Sequence, residues 1–394
     1  MKMIRYVAAA LAALFTLQTS AAVYLKAAAA GEERAVQDGT SWATAYTDAQ
    51  EALTAALESE DGTLYVAAGV YPLSSTTAVG TKTLKIYGGF AGNEEGENLE
   101  TLVQRDTKAN QSIFTGDKDG DDCYIHYELS TNAPSPSVTI TTMEGAPMVS
   151  NGRFNLPPAY TGEYDIYAAA VNNGTGKDRF DDNWWSGLFT FSNGATFVLD
   201  GIYLLGYRNT LFSASGTSTS VTINDCRFYA NRGASGVFSV DNLKSFTLSN
   251  SHFAYGVAEA NGGLWCASPG LVTNCLFESI YSTATLRGGV IHLSTGRYPT
   301  VIADSIFRRI CRHGKSELAH GGPAVCISAE NGGTQPLISG WVPPYSALMQ
   351  TAGPPCARSD FPCRQIRVKV ESAMTVGYLP LLRWMTPPRR VSEL

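Results

Sequence analysis

The chain has 394 residues, 44% of them hydrophobic and only 16% charged, with 38 glycines and a formal net charge of −6 at pH 7. That apolar content excludes a disordered chain. The acidic balance, without a cluster of Lys and Arg, argues against nucleic acid as a partner.

Met1 to Ala22 read as a secretory signal: Lys2 and Arg5, an apolar run from Val7 to Leu17, and the small residues Ser20-Ala21-Ala22 as a cleavage site. A membrane anchor would need about 20 apolar residues, and no later run is long and apolar enough to span a bilayer. Export by the Sec pathway is therefore expected, with no transmembrane segment in the mature chain. The eight cysteines stand at 123, 226, 266, 275, 311, 326, 356 and 363. Their spacing fits neither metal pairs nor a small disulfide framework, so the middle ones read as buried free thiols.

Residues 23–61 form an N-terminal segment. Within it Thr47-Asp48-Ala49-Gln50 fits a capping box, and Ala49, Ala52, Leu53, Ala56 and Leu57 share one helical face. A short helix here would cover the open apolar end of a stacked repeat fold. The stretches GTLYVAAGVYPL (62–73), TLKIYGGFAGNEE (83–95) and QSIFTGDKDGDD (111–122) then supply short strands. In the last of them Asp117, Asp119, Asp121 and Asp122 fall within six residues. Such an oxygen-rich cluster suits a structural Ca²⁺ ion. Gly120 is fourth rather than sixth from Asp117, however, and no helices flank it, so a solvated turn is the competing reading; no other cofactor is indicated.

Residues 123–195 fit a repeat poorly. Pro134, Pro136, Pro157 and Pro158, followed by NNGTGKDRFDDNWWSG (172–187), suggest a long loop or small excursion, a natural place for a binding surface. Asp178, Asp181, Asp182, Trp184 and Trp185 are the candidate carbohydrate contacts, because sugars stack on aromatic faces while carboxylates take their hydroxyls. Tryptophans filling the interior are the alternative.

From residue 196 the chain repeats. The lines TFVLDGIY (196–203), VTINDCRF (221–228), FTLSNSHF (246–253), GLVTNCLF (270–277) and TVIADSIF (300–307) align on Asp200, Asp225, Asn250, Asn274 and Asp304, at spacings of 25, 25, 24 and 30. An aliphatic residue precedes the anchor by two (Val198, Ile223, Leu248, Val272, Ile302). A small residue follows it, and an aromatic stands three after it (Tyr203, Phe228, Phe253, Phe277, Phe307). A second strand opened by glycine follows in GVFSV (236–240), GGLWCA (262–267), GGVIHL (288–293) and, more loosely, GGPAVCIS (321–328). Short strands of period two at this repeat length indicate an all-β fold, a single-stranded parallel β-helix with about 25 residues per coil over residues 62–330. A propeller blade needs about 40 residues, and the consensus of a leucine-rich repeat is missing.

The succession DGTSWATAYTDAQEAL, GTLYVAAGVY, LKIYGGFAGNE and RDTKANQSIFTGD resembles the start of bacterial secreted right-handed parallel β-helix proteins of the pectate-lyase-like superfamily. The glycine-led strands and Phe228-Tyr229-Ala230-Asn231 are similar to the repeats of polymorphic outer-membrane protein passengers, over about residues 36–330. In the repeats from residue 196 onward one FxxN is intact, and GGAI itself does not occur. The resemblance implies a right-handed coil and a secreted, outer-membrane or cell-surface location. It also implies a role that is often adhesive and in some members carbohydrate-active.

Asp200, Asp225 and Asp304 could be catalytic carboxylates, but their column also holds Asn250 and Asn274, so a corner ladder is expected instead. His252, His292, His313 and His320 lie in different repeats and none forms a motif with a partner. Arg287, Arg297, Arg308, Arg309 and Arg312 make one region locally basic, a solvated face or a contact for an acidic polysaccharide. Residues 331–394 break the pattern: nine of the 18 prolines fall between Pro336 and Pro388. This atypical tail reads as a linker, an odd cap or the product of another reading frame. The expected function is adhesion, or the binding of extracellular polysaccharide or a host or cell-surface glycan, without catalysis. A polysaccharide lyase or glycoside hydrolase is the alternative.

Overall fold

The computed structural model describes residues 22–29, 36–95, 101–118, 120, 122–130, 137–159, 166–168, 187–233, 237–258, 264–282, 291–293, 300–312, 325–327, 337–338 and 349–351. Of the signal-like segment Met1 to Ala22 all but Ala22 lies outside the described residues, as do the candidates Asp178, Asp181, Asp182, Trp184 and Trp185, Asp119 and Asp121, and nearly all of the tail. No helix among the described residues is long and apolar enough to cross a membrane.

The described chain is mostly β, with one α-helix and three long sheets whose strands pair in parallel, two of nine strands and one of eight. One round of the chain shows the plan. Thr196–Asp200 lies in the first sheet, Ile202–Leu205 in the second and Phe212–Ser215 in the third, and Ser220–Asn224 returns to the first, directly beside Thr196–Asp200. Each round thus lays its strands on the round before it, and side chains at equivalent positions stack.

The stacking builds the core in columns. Val23, Leu64, Ile86, Leu199, Ile223, Leu248, Val272 and Ile302 follow one another across the first sheet, all buried. In the second sheet Phe228, Phe253 and Phe277 stack face to face, with centroids 4.5 and 4.9 Å apart. Phe189, Phe212 and Phe238 do the same in the third, at 5.4 and 4.7 Å. Alternation fills these columns, because every second residue of a strand faces inward.

The register corrects the alignment of the first repeat line by one residue. Leu199, not Val198, pairs with Ile223, and Leu204, not Tyr203, pairs with Phe228. The corner position is therefore Gly201 rather than Asp200. Its backbone explains the column: Gly201, Asp225, Asn250, Asn274 and Asp304 have φ of 72, 48, 51, 51 and 49°. This left-handed region is open to glycine and tolerable to Asn and Asp, and it penalises other side chains. At Gly201 a Cβ would also come within 2.7 Å of Thr107 and 2.9 Å of the Gly88 carbonyl oxygen. Tyr203 consequently faces outward, and Asp200 sits on the outer face of the first sheet, where Arg105 pairs with it at 2.6 Å.

The residue after the corner has its own task. Ser251 accepts the Cys226 N–H at 3.1 Å and donates to the Ser249 carbonyl at 2.7 Å. Ser305 repeats this with Cys275 and Ala303. Cys226 and Cys275 are buried free thiols, and burial pushes their pKa values up to about 12 and about 11. Cys123 is likewise buried and outside any disulfide.

The helix, α1, spans Ala49–Glu58. Its N-cap is Asp48, which accepts the Glu51 N–H at 2.8 Å, and not Thr47 as the capping-box reading has it. Thr47 is drawn away to Gln37, and Gln50 to Ser75. The buried face is Ala49, Ala52, Leu53 and Ala56, with Leu57 partly buried, packed into the core beside Val23, Leu25 and Leu64.

One round carries an insertion. Between Ser112–Thr115 of the second sheet and Phe189–Phe191 of the third, the chain leaves the stack and forms an antiparallel sheet of Cys123–Ser130, Ser137–Pro147 and Ile166–Ala168. The hairpin Val149–Ser150 with Arg153–Phe154 follows the second of these strands. Tyr124, Met148, Phe154 and Tyr167 pack with Tyr203, Leu205, Tyr229 and Tyr255 in a second apolar cluster. The insertion thereby covers part of the outer face of the second sheet and leaves an edge beside it.

Candidate functional site

At that edge lies a cleft of about 510 Å³. Register defines its long wall: Tyr203, Arg227, His252, Leu276 and Ile306 succeed one another, one per round, on the outward face of the second sheet. The corner residues Asn250, Asn274 and Asp304 flank this column on one side. Phe154 and Leu156 of the insertion, with Lys108 and Gln111, complete the lining. Leu156 is 71% exposed and Ile306 39%, an unusual exposure for apolar side chains and one that gives the cleft a greasy lip.

The polar side is a continuous ladder. Arg105 holds one oxygen of Asp200, Asn224 donates to the other at 3.0 Å, Asn250 donates to Asn224 at 2.7 Å, and Asn274 donates to Asn250 at 2.7 Å. An ionised carboxylate only accepts, so Asp200 dictates which way every amide after it points. Asp225 leaves the ladder to take Arg227 at 2.9 Å and Thr107 at 2.7 Å. Burial opposes the Arg227 charge, but the Asp225 carboxylate and neighbouring phenols outweigh it, so the guanidinium is held above its ordinary pKa.

Where the cleft meets the sheet, three side chains from three successive rounds touch. The Tyr229 hydroxyl lies 2.7 Å from Nδ1 of His252, and His252 Nε2 lies 2.8 Å from Oε1 of Glu278. The second approach is off the N–H axis, so it acts as an ion pair when the ring is protonated rather than as a hydrogen bond. Ala254 stands between Tyr229 and Glu278 in register, and its small side chain leaves the room through which His252 reaches both. Tyr229 and Glu278 each directly precede a left-handed residue, Ala230 at φ 55° and Ser279 at φ 50°, a conformation costly for a residue with a Cβ. Burial drives the Tyr229 pKa well up, so the phenol keeps its proton.

These positions revise the expectations for single residues. His252 does have partners, one round away on either side, at separations of 23 and 26 residues that a search within one repeat misses. Asp225 and Asp304 are corner residues, and Asp200 belongs to a different column. Of the acidic cluster, Asp117 serves the backbone: its Oδ1 accepts the Gly120 N–H at 2.8 Å and its Oδ2 the Asp122 N–H at 3.3 Å. Asp122 is buried beside it. Asn231 of the FxxN motif is buried too, bonding the Tyr207 N–H and the Leu204 carbonyl, which makes it architectural.

Comparison with known proteins gives no match to a family model, to a curated protein or to a solved structure.

Proposed function

We propose that the chain is an exported, right-handed parallel β-helix protein of a bacterial surface or its surroundings, which binds polysaccharide in this cleft without cleaving it. Three parallel sheets visited in turn support the coil, and the signal-like segment at Met1 to Ala22 supports export. The resemblance of the N-terminal stretches points the same way.

The make-up of the cleft carries the functional part. Sugar rings present apolar C–H faces and hydroxyl edges. Here Leu156, Leu276, Ile306 and Phe154 offer apolar surface while Asn250, Asn274, Asp304 and Lys108 offer donors and acceptors. The wall repeats with each round, at the roughly 4.8 Å spacing of neighbouring strands, which suits an elongated ligand better than a compact one. Hydrolysis of a glycosidic bond needs a pair of carboxylates free to act. Asp225 is engaged by Arg227 and Thr107, and Glu278 by His252, leaving Asp304 as the one carboxylate among the described lining residues.

The full chain should be retained on immobilised polygalacturonate or laminarin. The double variant Lys108→Ala with Leu156→Ala, both at exposed positions, should bind about ten-fold more weakly, roughly 1.4 kcal/mol for two contacts. Unchanged affinity of this variant would remove the cleft as the site. Release of reducing or unsaturated ends from either polymer would overturn the absence of catalysis.

A further inference from the structure

Tyr229, His252 and Glu278 are more than a structural bridge, because the two ring nitrogens of a cleft-lining histidine lie 2.7 and 2.8 Å from polar groups of the neighbouring rounds. The buried phenol carries its proton throughout the neutral range. A neutral His252 must therefore accept that proton's hydrogen bond at Nδ1, which places its own hydrogen on Nε2, the nitrogen 2.8 Å from Glu278. A protonated His252 has a hydrogen on both nitrogens. Nδ1–H then donates to the phenolic oxygen, and the phenol's hydrogen is freed to turn away.

We propose that protonation of His252 reverses its hydrogen bond with Tyr229 and so converts Tyr229 into a hydrogen-bond donor to ligand in the cleft, making binding there acid-strengthened. This rests on the glycan-binding reading of the cleft. It adds a specificity element: an oxygen acceptor of the ligand, a hydroxyl or a ring ether, meets a donor only when the ring is charged.

The charged and titratable groups around the ring favour such a switch. Glu278, from the following round, stands 2.8 Å from Nε2 and stabilises the cation. Arg227, from the preceding round, would oppose it, but Asp225 pairs with Arg227 at 2.9 Å. Tyr203 stacks edge-on against Tyr229 at 6.1 Å and is itself neutral, its pKa raised by burial. Lys108 and Asp304 line the same cleft with opposite charges. Histidine is the side chain that ordinarily changes charge between pH 5 and 8.

Binding of the full chain to polygalacturonate and to laminarin is measured at pH 5, 6, 7 and 8, with His252→Gln and Tyr229→Phe alongside. Both polymers should bind roughly three- to ten-fold tighter at pH 5 than at pH 8, the worth of one added hydrogen bond. Both variants should lose that gain on laminarin. Tightening confined to polygalacturonate, or retained on laminarin by Tyr229→Phe, would show a plain charge effect and overturn the proposal. So would binding that is indifferent to pH, although the glycan reading would survive it. Absence of binding to both polymers at every pH would sink that reading and this one together. Nitrogen NMR of the imidazole tests the reversal without ligand: Nδ1 should be bare at pH 8 and protonated at pH 5, and an Nδ1–H at pH 8 would refute it.

Discussion

At the scale of single residues, backbone conformation selects the side chains that look most functional. Asp225, Asn250, Asn274 and Asp304 are polar because their corner is left-handed, and Gly201 meets the same demand with no side chain. Once in place, the amides acquire a second role in the ladder that ends on Asp200. Asn224 is its critical rung, because it donates to that carboxylate and its oxygen accepts from Asn250 and Ser249. Asn224→Asp would set an acceptor against an acceptor and a charge against a like charge. The expected loss is about 1–3 kcal/mol at pH 7. The new carboxyl would hold its proton more tightly in the folded state than in the unfolded one. The deficit should therefore shrink as pH falls through the carboxylate range, when a protonated group can donate again. Urea midpoints at pH 7 and pH 4 would read this; equal losses at both would mean that the ladder is not the cause.

At the scale of elements, the aromatic columns hold neighbouring rounds together. Phe253 lies between Phe228 and Phe277 at 4.5 and 4.9 Å and also meets Phe238 at 5.6 Å, so it joins the second sheet to the third. Phe253→Ala should cost about 3–5 kcal/mol, and Phe253→Leu markedly less, since Leu204 already serves one rung of the same column. Thermal or urea unfolding would decide; an alanine cost below about 1 kcal/mol would mean the cavity collapses. This column was legible in the sequence, because stacking demands the same chemistry at a fixed spacing. Its first rung was misplaced because Asp200-Gly201 offers two turn residues side by side, and only the backbone angle chooses between them. The cleft was harder to read. Its wall takes one outward residue from each round, and outward positions have no shared packing requirement to make them alike. Tyr229, His252 and Glu278 touch through the gap above Ala254, which only the register reveals.

At the scale of the molecule, each round rests on its neighbours alone, so stability is a chain of local interfaces rather than one central core. The rounds holding Thr196–Asp200, Ser220–Asn224 and Ser245–Ser249 have a partner strand on each side in the first sheet and carry the stacked phenylalanines. Their amides should exchange with solvent most slowly, and those of Ala22–Leu25 at the sheet edge considerably faster. Uniform exchange across the stack would contradict such a graded structure. The insertion fits this plan, since an excursion at a corner leaves the strands on either side free to pair: Phe189–Phe191 still joins Thr77–Gly80. The direction of the hydrogen bonds has a mechanical side. In the three long sheets they run from one round to the next, along the stack and not across it. A pull applied along the stack would be carried by every interface between rounds, and the outermost round, paired on one side alone, would yield first and then expose the next. Under tension the stack would pay out its length in small steps, like a seam opened stitch by stitch.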